Sequence, residues 1–137
     1  MKFPFIKFFP TDWLAEPSLR VCSVAARGLW MDMLSMMHLA PRRGYLLAAT
    51  GLPISPVQLA RMTGCTAEEV TQLLAELQTS GAFSCTNDRI IYSRRMVREE
   101  GKRDLCAEAA ERVVETRPLE VVAKVAPKVA PKVTPNF

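Results

Sequence analysis

Apolar residues recur with the period of an α-helix in two stretches of the chain. The first runs from about Val24 to His38, and Ser23 stands before it as a helix cap. The second is LARMTGCTAEEVTQLLAEL, residues 59–77, in which Gly64 separates two short periodic runs. The later run has one apolar face made of Val70, Leu73, Leu74 and Leu77. The pattern predicts one long helix followed by a helix-turn-helix.

Capping residues mark where the two helices of that motif begin. Ser55 with Gln58, and Thr66 with Glu69, have the spacing of capping boxes. Pro56 suits the first position of a helix, because its missing N–H has no partner there. We expect the first helix of the motif to turn three side chains inward, those of Leu59, Ala60 and Met62.

Two β-prone runs follow the motif, and a third precedes it. Ala82–Cys85 and Arg89–Ser93 flank the turn-forming residues TND, which predicts a β-hairpin. Tyr45–Ala48 is a short apolar run that can pair with the hairpin to complete a three-stranded sheet. Helix, strand, helix, helix and hairpin is the order of a winged helix, in which the hairpin is the wing.

The remaining segments differ in composition from this domain. Residues 1–22 form an aromatic arm, broken by prolines, that we expect to be extended with a short turn at Asp12 and to pack on the winged helix-turn-helix domain of residues 23–93. Residues 94–116 predict a charged helix, and residues 117–137 are a Pro/Lys/Val/Ala repeat that favours a disordered tail. The expected fold class is mainly α with a small β-hairpin, a charged helix and a flexible tail.

The residues of an enzyme site are missing from the sequence. The four cysteines are scattered without CxxC spacing, and His38 is the single histidine, so we expect no metal site and mostly packed, reduced thiols. Neither a Gly-rich phosphate loop nor a serine nucleophile elbow occurs, and we expect no catalysis and no cofactor. No apolar run is long enough to span a membrane and no signal peptide is expected, which favours a cytoplasmic protein.

The charge of the chain favours a polyanionic partner. Its 18 Lys and Arg against 14 Asp and Glu leave a net charge of +4. Arginines lie around the predicted wing, where they could neutralise DNA phosphates, and the second helix of the motif could offer amide and hydroxyl groups to base edges. The candidate DNA-binding residues are Arg42, Arg43, Thr71, Gln72, Gln78, Arg89, Arg94, Arg95 and Arg98.

One feature of the second helix opposes that reading. Its polar face carries no Lys or Arg, and it has three glutamates. Glu68 and Glu69 are explained by the helix dipole, since acidic residues stabilise the first turn. Glu76 has no such explanation and would repel phosphate. The alternative for the arginines is that they are solvated surface charges paired with Glu99 and Glu100.

Five stretches of the chain together resemble a known family. FPFIKFFPTDWL, LRVCSVAARGLWMDMLSMMH, RRGYLL, PVQLARMTGCTAEEVTQLLAEL and IIYSRRMVREE are similar to the N-terminal winged-helix domain of phage and prophage replication-initiation proteins, also called replisome organisers. The resemblance runs from about Phe3 to Lys102. It implies binding to double-stranded origin DNA and contact with a helicase or a helicase-loader protein in a bacterial host cell.

The chain departs from that family in three places. The first segment has FIKFFPTDWL where a shorter aromatic-Pro turn before Asp-Trp-Leu is expected. Thr63 and Cys65 stand beside the turn glycine where larger or branched apolar residues are common. The C-terminal region that serves helicase partners in longer relatives is reduced here to one helix and the repeat.

Two classes of function therefore remain open. The first is DNA binding in phage replication initiation, with a homodimer as one arrangement and a phage transcriptional regulator as a variant. The second is a winged helix that binds another protein and no DNA. A winged-helix fold serves both classes and does not choose between them.

Overall fold

The computed structural model describes residues 3–116 of the chain, with side chains up to residue 113. It is mainly helical and has one small antiparallel sheet, which confirms the predicted fold class. The elements are α1 Pro10–Ala15, α2 Pro17–Arg20, α3 Val24–Leu39, α4 Pro56–Thr63, α5 Ala67–Ser80, β1 Ser84–Cys85, β2 Ile91–Tyr92 and α6 Arg94–Thr116. The predicted tail, residues 117–137, lies outside the described residues.

The helix boundaries follow the capping chemistry. Ser23 caps α3, and Ser55 with Gln58 forms the predicted capping box at the start of α4. At the start of α5 the Thr66 hydroxyl accepts from the backbone N–H of Glu69, which is one half of the predicted capping box. In place of the other half, the same hydroxyl donates to the Glu69 carboxylate. Gly64 ends α4 with φ of 78°, a left-handed conformation that glycine adopts at little cost.

The core lies where α3, α4 and α5 meet. Met33, Met37, Leu59, Val70 and Leu77 are its largest fully buried side chains. Removing such residues from water is the main driving force for this fold. One inward prediction for α4 was wrong, because the side chain of Met62 is 57% exposed.

The sheet has two strands, not the predicted three. β1 pairs with β2, with Ser84 opposite Tyr92. Tyr45 joins β2 through a single bridge to Tyr92, and the next residues bend away so that Leu47 pairs with Pro53. The segment 45–48 thus divides its few backbone groups between two partners, which leaves it too short to form a strand.

The N-terminal segment was predicted to be extended with one short turn, but its residues 10–20 form two short helices, while residues 3–9 belong to no helix. Pro10 and Pro17 each stand at the start of one, where a proline fits the backbone and breaks no hydrogen bond. Trp13 is half-buried against the core, while the four described phenylalanines of the segment are exposed, namely Phe3, Phe5, Phe8 and Phe9.

The chain divides into two compact units, the first ending at Glu100 and the second beginning at Gly101. In the second unit the described side chains are exposed except for that of Arg103, which is half-buried. They include the apolar Leu105 and Val113. None of the helices in residues 3–116 is long and apolar enough to cross a membrane.

Candidate nucleic-acid interface

The outer face of the sheet carries a pair of tyrosines. Residues paired directly across an antiparallel ladder point to the same face, so Tyr45, Tyr92 and Ser84 share one side. The two tyrosine rings lie 5.4 Å apart, centroid to centroid, and both side chains are half-buried. The opposite face of the sheet is the core face, to which Leu46 and Phe83 contribute.

An arginine stands at each end of this pair. The guanidinium of Arg42 lies 4.0 Å above the centre of the Tyr45 ring. At the other end, Arg94 donates from Nη1 to the Ser84 hydroxyl at 2.7 Å and from Nη2 to the Gly81 carbonyl at 2.6 Å. We call this set the tyrosine row: Arg42, Tyr45, Tyr92, Ser84 and Arg94.

The tyrosine row holds its two cations in place without neutralising them by a carboxylate. Arg42 and Arg94 are both exposed, and neither forms an ion pair within residues 3–113. A guanidinium stacked on an aromatic ring keeps its N–H groups free at the edge, where they match the geometry of phosphate. Since Arg94 spends two of its five N–H donors internally, the others remain for a further acceptor. The row is thus suited to a polyanion.

Arg43 does not belong to this surface, contrary to the expectation from the sequence. Its side chain is 4% exposed, and its Nε donates to Nδ1 of His38 at 3.0 Å. Its Nη1 lies 3.7 Å from a carboxylate oxygen of Glu99 and 3.7 Å from one of Glu100. Arg43 therefore has the predicted glutamate partners but is buried, so it is not the solvated surface charge of the alternative prediction.

His38 completes what we call the arginine network, formed by Arg43, His38, Glu99, Glu100 and the Phe3 carbonyl. Because Nδ1 of His38 accepts from Arg43, its Nε2 carries the proton and donates to the Phe3 carbonyl at 2.5 Å. The single histidine is thus a buried structural residue that links α3 to the N-terminal segment.

The arginines of α6 differ in their surroundings. Arg95 is 47% exposed, lies 4.8 Å from the centre of the Phe9 ring, and pairs with Asp12 at 3.7 Å and Glu99 at 3.4 Å. These contacts fasten the N-terminal segment to the start of α6. Arg98 is exposed and has no hydrogen bond or ion pair to the described side chains.

Arg89 occupies the tip of the wing in an unusual backbone conformation. Its φ of 63° makes it the one non-glycine residue with positive φ in the described part of the chain. Its N–H donates to the Thr86 carbonyl at 2.9 Å, which closes the turn. A side chain in the left-handed region costs about 1 kcal/mol. Arg89 is exposed, and its backbone conformation is one that glycine or asparagine would adopt at lower cost.

The candidate base-reading residues lie on the outer side of α5. Thr71, Gln72 and Gln78 are all exposed, as are Glu68 and Glu69 in the first turn. The Thr71 hydroxyl donates its proton to the Ala67 carbonyl at 2.8 Å, so toward a ligand it can act only as a hydrogen-bond acceptor. Arg94 reaches the carbonyl of Gly81, the C-cap of this helix, which ties the end of α5 to the tyrosine row.

Glu76 has a structural role that the sequence did not indicate. Its carboxylate accepts from both the backbone N–H and the hydroxyl of Ser23, the latter at 3.0 Å. The Ser23 hydroxyl in turn accepts from the N–H of Ala26 at 3.1 Å. A glutamate of α5 thus supplies the half of a capping box that position 26, an alanine, cannot. The carboxylate serves the start of α3 and is no longer unexplained.

The tyrosines and Ser84 were missed when the sequence was read for charge. Strand alternation was the available signal. Tyr45 precedes Leu46, which is in the core, and Tyr92 follows Ile91, which packs against the core. Their partnership depends on register, which the sequence did not specify. Among the described residues, no group of three or more His, Cys, Asp or Glu could hold a metal ion.

No family model matches this chain, and neither does any curated protein or solved structure with which it was compared.

Proposed function

We propose that this protein binds double-stranded DNA through the tyrosine row and the wing. The observation that carries the proposal is the row itself. It contains two exposed arginines, each oriented by a neighbouring side chain and neither paired with a carboxylate among the described residues. Arg89 at the wing tip and Arg98 on α6 extend the positive surface to four cations.

Phosphate contacts set the expected affinity and its dependence on salt. If Arg42, Arg89, Arg94 and Arg98 each neutralise one phosphate, the logarithm of affinity should fall with the logarithm of salt concentration with a slope of about −3.6. Such contacts position the protein without reading sequence. Gln72 and Gln78 on α5 are the side chains in our proposal that read base edges, and glutamine pairs well with adenine.

The biological setting that we propose is phage or prophage replication initiation. It rests on the resemblance of residues 3–102 to replisome organisers and on the order of helix-turn-helix and hairpin, to which a single bridge at Tyr45 adds in place of the third strand of a winged helix. In that setting the protein binds origin DNA or recruits a helicase or helicase loader. A phage transcriptional regulator is the alternative with the same interface, and the two differ in the DNA site that they recognise.

The test is a binding titration with fluorescently labelled duplexes, measured by anisotropy at several salt concentrations and in reductant. The parent protein should bind at low salt, with affinity that falls steeply as salt rises. Arg42→Gln should weaken binding to every duplex by about fivefold and reduce the salt slope by about 1. Arg20→Gln is the matched control, since it removes one exposed arginine from α2, outside the proposed surface.

Two results would overturn the proposal. One is failure of the parent protein to bind any duplex at low salt. The other is an equal loss of affinity in Arg42→Gln and Arg20→Gln, because binding would then report net charge and not a surface. Thermal melting of each variant should change little, since both side chains are exposed.

A further inference from the structure

An apolar groove lies between the end of α3, α4 and the loop after Tyr45. Its cavity volume is about 480 Å³, within the range of pockets that hold small ligands. Met36 and Leu39 of α3, Leu47 and Ile54 of the loop, and Met62 of α4 line it. None of these residues belongs to the tyrosine row.

Two of the lining side chains are exposed to an extent unusual for their size. Leu39 is 72% exposed and Met62 is 57% exposed. Leu52 in the loop and Val57 at the start of α4 add further exposed apolar side chains in the same part of the chain. A single exposed leucine needs no explanation, but apolar side chains gathered around a concave surface mark an interaction site. Methionines at such a surface adapt to partners of different shape.

The charge of the groove is one-sided. Arg61 is the one charged residue among those that line it, and no acidic residue does. Arg61 is exposed and has no ion-pair partner within the described residues. Its location in the last turn of α4 is compatible with the helix dipole, but this leaves the guanidinium open to an anion. In the other polar lining residue, Gln58, the side-chain carbonyl accepts the capping-box hydrogen bond from the N–H of Ser55.

The loop backbone offers little to an added β-strand. The N–H of Leu47 donates to the Tyr45 carbonyl at 3.0 Å, and the N–H of Ala48 donates to the Leu52 carbonyl at 2.8 Å. These two N–H groups are not available to an added strand, which favours a partner recognised by its side chains, as grooves recognise amphipathic helices.

We propose that this groove binds an amphipathic helix of a partner protein. Apolar side chains on one face of that helix enter the groove beside Leu39 and Met62, and an acidic side chain at its edge pairs with Arg61. Because the groove shares no residue with the tyrosine row, this inference does not depend on DNA binding. The groove is also the specific surface at which a winged helix that binds another protein would do so.

The experiment is a selection from a displayed library of 14-residue helical peptides, randomised along one face and at its edges. The parent protein is the bait, and Met62→Glu is used to discard peptides that bind elsewhere. The proposal expects the surviving peptides to share an apolar i, i+4, i+7 pattern and one acidic position. Leu39→Ser is a second discarding variant, and because both side chains are exposed, both variants should melt like the parent.

A selected peptide then tests the role of Arg61 by exchange of charge. Replacing its acidic residue by the neutral amide should weaken binding to the parent several-fold, and should have no effect on binding to Arg61→Gln. A lysine in the same position should restore binding to Arg61→Glu. Arg20→Gln should bind all three peptides as the parent does.

Three outcomes would overturn the inference. In the first, the selection yields no peptide whose binding is sensitive to Met62→Glu and Leu39→Ser. In the second, the selected peptides do not require an acidic residue. In the third, Arg61→Gln loses as much affinity for duplex DNA as Arg42→Gln. The last would assign Arg61 to the nucleic-acid interface. Peptide binding is measured without DNA, so failure of the DNA proposal leaves this test intact.

Discussion

The tyrosine row and the arginine network begin at neighbouring residues, Arg42 and Arg43, and use the same type of side chain in different ways. Arg42 is exposed and stacks on an aromatic ring. Arg43 is buried, bonded to His38 and close to two carboxylates. One cation is available to a ligand, and the other holds three parts of the fold together. The sequence does not distinguish the two arginines, but the residues around each of them in the fold give them different roles.

The difference has a physical origin in the local chain. Arg43 precedes Gly44, whose N–H donates to the Met37 carbonyl and whose carbonyl accepts from the N–H of Ser93. These bonds hold the backbone against the end of α3 and the start of α6, so the Arg43 side chain is enclosed. One residue earlier the chain is still at the surface. Burial of a charge is tolerated only with partners, and Arg43 has one hydrogen bond to His38 and two carboxylates at 3.7 Å.

The largest expected effect comes from Gly44→Ala, at the junction of the two regions. An added Cβ would lie 2.9 Å from Cγ2 of Val97 and 3.2 Å from its backbone nitrogen, and φ is +97°. Both the clash and the backbone conformation oppose the substitution. We expect a loss of about 3 kcal/mol in the free energy of unfolding, measured by urea denaturation.

Gly51→Ala is the matched control, because Gly51 has φ of +85° and open space around it. It should lose about 1 kcal/mol, the cost of the backbone conformation alone. Equal losses in the two variants would show that the contact with Val97 relaxes freely and that the junction is not tightly packed.

Arg43→Met tests the buried side of the comparison. The substitution keeps an unbranched side chain, but it leaves His38 without the Arg43 donor and removes the buried guanidinium that lies 3.7 Å from a carboxylate oxygen of Glu99 and of Glu100. Discounting for the solvent that reaches Glu99 and Glu100, we expect a loss of about 2 kcal/mol in unfolding free energy. Duplex affinity of the folded protein should not change.

Arg42→Met is its counterpart on the exposed side. It should alter stability by less than about 0.5 kcal/mol and weaken duplex binding. If Arg43→Met lowers affinity as strongly as Arg42→Met while both proteins are folded, the distinction between the row and the network is wrong.

Glu76→Gln sharpens the same distinction for a carboxylate. The structure assigns Glu76 to the cap of α3, so we expect a loss of about 1 kcal/mol in stability and no gain in duplex affinity beyond that of Glu68→Gln. Glu68 is exposed in the first turn of α5 and provides the matched change in charge. A double-mutant cycle with Ser23→Ala should show coupling between the two residues. A clear increase in affinity for Glu76→Gln alone would place this carboxylate on the DNA side.

The parts of the fold that the sequence predicted are the ones decided locally. Ser23, Ser55 with Gln58, and Gly64 act on backbone groups within a few residues, and the long helix and the helix-turn-helix began and ended close to the predicted positions. The apolar face of α5 also follows from spacing alone, since helical period places its residues on one side.

The parts that were missed depend on contacts between distant segments. Glu76 caps a helix 53 positions earlier, and Tyr45 meets Tyr92 through strand register. Burial of Arg43 requires α6 to supply two glutamates. No local sequence pattern predicts these long-range contacts. The sequence therefore placed the candidate site near the wing, but only the fold shows that the two tyrosines belong to it and that Arg43 does not.

A stability effect of the opposite sign is expected at the wing tip, where Arg89 has a positive φ of 63°. Arg89→Gly relieves that conformation and should stabilise the protein by up to about 1 kcal/mol, the cost of the left-handed region. Arg89→Asn tolerates the same backbone and should gain less. If the arginine contacts phosphate, both variants lose affinity for duplex DNA and reduce the salt slope by about 1, although both are more stable. A surface that binds DNA then accounts for a residue that the fold alone does not favour. Gain in stability with unchanged affinity would exclude the wing tip and confine the proposed interface to the tyrosine row and Arg98.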